Sequence, residues 1–356
     1  TPDGLSVLYG AAYSRTTPQK DLTPYNLLST SENYSISLHQ DLYQNNRISG
    51  ELYAGLDFKD KTTSIYTGTL NRDRLRTISA GARFLNAESS SSTAINPEIT
   101  QGIPCLGASA RTNPLASRHA DPVFTKAAFT LLNKRILAGG ILFTVSTKAQ
   151  LASEKLPPQE GFSLGGINSV RGYPASDFIA DNAATGSVEL QTPFYGFPKG
   201  LTLPYDAAPL SENIKPVWFL DYGTGHRRNA TGSDDANTTF VSAGFGFRTK
   251  LYNQVSIRTE WGFPVAGDDP ITETARSQFH FLIDFADALP TEIERIRHLR
   301  KQARQQQLAW DILNDEFSKK NSSVRKRLLY YYAGAQRAFQ QRRYAYSKAL
   351  YKRFLK

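Results

Sequence analysis

The sequence predicts an all-β, antiparallel transmembrane β-barrel followed by a basic, α-helical C-terminal extension. Three observations carry that reading. Segments of two-residue alternation run longer than ordinary strands, the connections between them alternate between long and short, and the basic excess is confined to one end of the chain.

Alternation is clearest near the end of the body. In 277–286, Phe279, Phe281, Ile283 and Phe285 share one face, and Gln278, His280, Leu282 and Asp284 share the other. In 253–263, Val255, Ile257, Thr259, Trp261 and Phe263 oppose Ser256, Arg258, Glu260 and Gly262. In 240–248, Val241, Ala243, Phe245 and Phe247 oppose Ser242, Gly244, Gly246 and Arg248. Charged side chains on one face are too costly for a dry sandwich core unless each is paired. That face meets bulk solvent on an ordinary sheet, or it lines a wet lumen.

Twelve such segments are expected, near 4–13, 33–44, 47–58, 74–85, 93–106, 122–135, 138–151, 183–195, 215–225, 238–249, 251–264 and 277–286. Ordinary strands average roughly 5–6 residues, whereas a tilted strand crossing a bilayer needs roughly 9–11. The connections sort by parity. Those at 14–32, 59–73, 107–121, 152–182, 226–237 and 265–276 are long, while 45–46, 86–92, 136–137 and Lys250 are short. The exception is 196–214, which falls in a short position and is not short. Long loops on one side and tight turns on the other mark an outer-membrane barrel, and a soluble sandwich has no reason to sort them.

Composition agrees. With 18 Tyr, 20 Phe and only 40% apolar residues, the chain suits a sheet with one greasy and one polar face. The single cysteine, Cys105, excludes an internal disulfide. The absence of methionine implies that the natural start, with any signal peptide, precedes Thr1. Of the net +10, residues 287–356 hold +11 and the body −1, so the body has no electrostatic footprint for nucleic acid. The expected division is therefore a barrel over 1–286 and a helical periplasmic tail over 287–356. In the tail, helices are expected at 291–319 and 324–354, the second basic with interleaved tyrosines. That face suits an anionic membrane surface or an acidic polymer, and the plainer alternative is a helical hairpin with one solvated face.

The longest connection carries "GGINSVRGYPASD" at 165–177, and "FLDYG" follows at 219–223. The Val170-Arg171-Gly172-Tyr173 core, the loop glycines Gly165 and Gly166, and the Phe219-x-Asp221-x-Gly223 strand together resemble the BamA/TpsB superfamily. The wording around them is most similar to the two-partner secretion transporters of the ShlB/FhaC/HecB type. The resemblance implies that loop 152–182 folds back into the lumen, with its tip docked on the inner wall and Arg171 paired with Asp221. Alternation independently puts Val217, Phe219, Asp221 and Gly223 on one face and Trp218, Leu220 and Tyr222 on the other. That places the indole and phenol where membrane-interface aromatics belong. Glu189 points inward on the strand directly after the loop and is a second candidate anion near Arg171.

The resemblance implies a pore that moves a secreted TpsA-like partner protein, a haemolysin or adhesin, from periplasm to cell surface. The expected site is the bacterial outer membrane, in contact with lipid and lipopolysaccharide, as a monomer, with no cofactor, no metal and no nucleic acid. Alternatives are an insertase that assembles other barrels, or a solute porin. Family barrels have sixteen strands and twelve are counted here, so four strands and the POTRA domains are expected to precede Thr1. Catalysis has no support in the sequence. There is no Gly-x-Ser-x-Gly elbow, and His39, His119, His226, His280 and His298 are scattered, His39 and His280 on lumenal faces with no obvious nucleophile beside them.

Overall fold

In a computed structural model, the described residues are 4–17, 25–45, 47–66, 68–194, 196–198, 201, 210–230, 235–251, 255–270 and 277–285. The expected helical tail, 287–356, lies outside them.

Among the described residues, twelve antiparallel strands form one sheet in chain order. They are β1 (Leu5–Thr16), β2 (Leu28–Gln44), β3 (Ile48–Ile65), β4 (Gly68–Ala87), β5 (Ser91–Gly102), β6 (Thr125–Ile136) and β7 (Leu142–Ala152). After the loop come β10 (Asn182–Gln191), β11 (Ile214–His226), β12 (Asn237–Leu251), β13 (Val255–Gly267) and β14 (Gln278–Phe285). Between β7 and β10 the loop makes its own hairpin, β8 (Phe162–Leu164) and β9 (Phe178–Ala180), which the sequence reading treated as plain loop. A one-turn helix, α1 (Leu210–Asn213), precedes β11.

Two expected connections are overturned, and at one of them Lys250 is not a turn but part of β12, opposite Ser256 of β13. Residues 59–73 are not a long loop but mostly the upper halves of β3 and β4, which run 18 and 20 residues, with Tyr66 in the turn after β3. The cause is in the charges. Register sets Asp60 opposite Arg74 and Lys61 opposite Asp73, and Arg76 Nη1 lies 2.5 Å from Asp60 Oδ1. Opposite charges across a ladder stabilise it by a few tenths to about 1 kcal/mol each, so a polar stretch that reads as loop extends as strand.

The two faces differ as alternation requires. On β11, Trp218, Leu220 and Tyr222 are 48%, 52% and 47% exposed, whereas Val217, Phe219 and Asp221 are buried. Ile36, Leu38, Ile99, Leu151, Phe245, Trp261 and Phe279 continue this exposed apolar surface on neighbouring strands. Water does not tolerate a surface of that extent, and lipid does.

Burial lies on the inner face, where the loop packs. Leu164, Val170, Tyr173, Phe178 and Ala180 of the loop join Ala183 of β10 and Phe240 of β12 in one cluster. Tyr173 and Phe240 stack with ring centroids 4.0 Å apart. A smaller cluster of Phe124, Ala152 and Leu156 sits beneath the first turn of the loop. The core is loop against wall rather than sheet against sheet.

Candidate functional site: a guanidinium in a three-carboxylate socket

The loop tip is shaped by backbone before it is held by charge. Gly165 and Gly166 have φ of +95° and +90°, a region that side chains with a Cβ rarely enter. They close a tight turn in which Gly166 N–H donates to the Tyr173 carbonyl at 3.0 Å and Ser169 N–H to the Gly166 carbonyl at 3.1 Å. The turn presents Val170, Arg171 and Tyr173 together. Val170 packs over Gly223, where a Cβ would fall 2.7 Å from its Cγ2. At Gly172 a Cβ would fall 2.6 Å from the Ser242 side chain, so only glycine lets the tip backbone reach the wall.

Arg171 is 2% exposed and uses every donor it has. Nε and Nη2 fork onto Asp221 at 2.7 and 2.6 Å, and the Arg171 backbone N–H reaches the same carboxylate at 3.1 Å. Nη1 donates to Glu189 at 2.6 Å and to Glu260 at 3.1 Å. Nη2 also donates to Ser187 Oγ at 2.9 Å, which in turn donates to Asp221 at 2.6 Å. The guanidinium carbon lies 3.5 Å from the centre of the Phe219 ring, a cation–π contact on its remaining face.

Three carboxylates around one cation would be unstable alone. Arg248 Nη2 bridges Glu189 at 2.8 Å and Glu260 at 3.0 Å, and Arg258 forks onto Glu260 with both nitrogens at 2.7 Å. Three acids therefore meet three arginines, and the buried cluster is neutral. Arg258 also donates to the Ile167 carbonyl at 3.3 Å, a second wall-to-loop bond. His280 Nε2 lies 2.7 Å from the Arg171 carbonyl; a carbonyl only accepts, so that nitrogen carries the proton.

The structure thus brings Arg171 together with Asp221, Glu189 and Phe219, and seats Gly165, Gly166, Val170, Gly172, Tyr173 and Gly223 around them. Glu260, Arg248, Arg258, Ser187 and His280 were not singled out from sequence as partners of Arg171. Their signal was present, since Glu260, Arg258, Arg248 and His280 all fall on the inner faces given by alternation. What the alternation lacks is the register that sets Glu260 opposite both Gly246 and His280.

His39 corrects a sequence expectation. Ser37 Oγ lies 2.8 Å from its Nε2, and Glu51 accepts from Nδ1, because i and i+2 share a strand face. The order of groups is that of a nucleophile, base and orienting carboxylate. However, Tyr53 stacks on the imidazole, Arg83 occupies Glu51 at 3.0 Å, and the Ser37 backbone lies within the ladders to β1 and β3. That leaves no pair of backbone donors for an oxyanion.

Among solved structures, CdiB from Escherichia coli superposes with a TM-score of 0.62 at 20% identity, covering 79% of this chain and 50% of its own. CdiB from Acinetobacter baumannii gives 0.57 at 15% identity, covering 79% and 47%. BamA from Haemophilus ducreyi lacking POTRA domains 1–3 gives 0.57 at 13% identity, covering 80% and 59%. The chain spans about half the length of these proteins, and at such identities the likeness shows the β-barrel fold. No curated protein sequence matches the chain. A family model does, along residues 5–249. On that match and this fold, the chain belongs to the haemolysin secretion/activation protein family ShlB/FhaC/HecB, transporters of the Gram-negative outer membrane rather than an enzyme class.

Proposed function

We propose that this chain is the barrel part of a two-partner secretion transporter, passing a TpsA-like exoprotein from periplasm to cell surface without nucleotide or covalent chemistry. In this reading loop 152–182 is the movable element and Arg171 is its latch. The observation that carries it is the placement of Arg171, at the tip of a loop yet nearly fully buried, held by ion pairs to three strands of the inner wall. Such contacts are strong when intact, and water can replace them when the loop withdraws. The barrel is read as a monomer in contact with lipid and lipopolysaccharide.

The test is secretion of the partner from cells carrying Arg171→Ala or Asp221→Ala, with heat-modifiable gel mobility to show that the barrel inserts. Reduced secretion by an inserted barrel is expected, and wild-type secretion by both variants would end the latch. Levels of other outer-membrane proteins in the same cells separate export from an insertase role, which would lower them.

A further inference from the structure

Of the loop's other buried carboxylates, Glu160, Asp177 and Asp181, the first and the last lie on its stems. Glu160 precedes β8 and Asp181 follows β9, so they flank the mouth of the hairpin. Gln150 of β7 ties the stems together. Its Nε2 donates to the Glu160 carbonyl at 3.2 Å and to the Asp181 carbonyl at 3.1 Å.

Each side chain then reaches a different part of the wall. Glu160 accepts from Lys59 of β3 at 2.7 Å and from Lys126 of β6 at 2.6 Å. One carboxylate therefore joins two strands separated in the sheet by β4 and β5. Asp181, fully buried, accepts from the Leu156 N–H at 2.9 Å and the Arg228 N–H at 2.8 Å, with both Arg118 Nη atoms at 3.4 Å. Arg118 belongs to the β5–β6 connection and Arg228 to the β11–β12 connection. Arg118 is held at φ +58°, an uncommon conformation for a residue with a Cβ. Asp181 thus gathers three connections at one end of the sheet.

The polarity is the reverse of the tip. There the loop offers a cation to acids on the wall, whereas at the stems it offers anions to cations on the wall and the neighbouring loops. Among the described residues, the side chains named at the tip and those named at the stems do not overlap. Groups without shared partners contribute independently.

We propose that Glu160 and Asp181 form a second closure that positions the loop independently of Arg171, so that the loop leaves the wall only when both closures release. This rests on the reading of the loop as the movable element. Because the charges run in opposite senses along the loop, a partial slide cannot exchange one set of partners for the other. Withdrawal breaks the tip and stem contacts in full.

The experiment is single-channel recording of the purified transporter in planar bilayers, comparing wild type with Glu160→Gln, Asp181→Asn, Arg171→Ala and the charge exchange Glu160→Lys with Lys126→Glu. Glu160→Gln and Asp181→Asn are each expected to raise open probability about tenfold, equivalent to about 1.4 kcal/mol. The increases should multiply when combined with Arg171→Ala, and the charge exchange should fall back towards wild type. If Asp181→Asn fails to insert, Glu160→Gln and Lys126→Gln carry the test. Wild-type gating by the stem variants, with an open Arg171→Ala channel, overturns the second closure and leaves the latch standing. Wild-type gating by Arg171→Ala as well removes the latch, and the stem proposal with it.

Discussion

Gly262 of β13 lies directly beneath the backbone of Arg171, where a Cβ would fall 2.5 Å from the Arg171 carbonyl carbon. The wall has no side chain where the loop backbone must lie, and the atom in the way would be backbone, which cannot swing aside. Gly262→Ala is therefore expected to lift the tip without touching any charged group. The measurement is partner secretion together with protease nicking within 152–182, and both should move in the same direction as in Arg171→Ala.

The three acids of the socket are not equivalent. Asp221 takes three bonds from Arg171 and one from Ser187, whereas Glu189 takes one from Arg171 and stays paired with Arg248. Removing one partner of a buried pair typically costs about 3–5 kcal/mol, because the other charge is left uncompensated. Asp221→Ala is expected near that range and Glu189→Gln well below it. Thermal unfolding of the detergent-solubilised protein ranks them, and equal losses would contradict the geometry.

Tyr173 separates packing from hydrogen bonding. Its ring stacks on Phe240, and its hydroxyl donates to the Ala266 carbonyl at 3.1 Å. Tyr173→Phe keeps the ring and should cost about 1 kcal/mol. Tyr173→Ala opens a cavity and should cost about 3–5 kcal/mol. Unfolding midpoints of the two variants check the gap.

The stem acid gives a pH dependence with a definite sign. Burial alone would raise the Glu160 carboxyl, but Lys126 and Lys59, the latter also 3.8 Å from Asp57, outweigh it and hold the carboxyl below the usual carboxylate range. A group lowered on folding contributes fully above its unfolded value, about 4, and loses that contribution as pH falls through the folded value. Protease sensitivity of the loop should rise on acidification below about pH 4, and Glu160→Gln should flatten that rise.

Much of this was legible in the residues. Two-residue alternation separated Asp221 and Phe219 from Trp218 and Tyr222, and the parity of most connections pointed to a barrel rather than a sandwich. Arg171 stood out because glycines frame it and a Phe-x-Asp-x-Gly strand follows. What failed was whatever depends on partners distant in sequence. Residues 59–73 read as loop because each charge there looks solvated until Asp60 meets Arg74 and Arg76. Glu260 is 89 positions from Arg171, and only the accumulated register of β10 to β13 brings the two together. The stem acids showed no local pattern at all, since Lys59 lies 101 positions from Glu160.

The neutrality of the socket has one more consequence. With the tip withdrawn, Asp221, Glu189 and Glu260 would face only Arg248 and Arg258, leaving one negative charge unmatched, and the Phe219 ring would lose the guanidinium against it. An empty berth of that kind is unfavourable, because a buried charge is left uncompensated. On the proposed reading, the loop would be drawn home by what it leaves behind, and resetting after each passage would need no fuel.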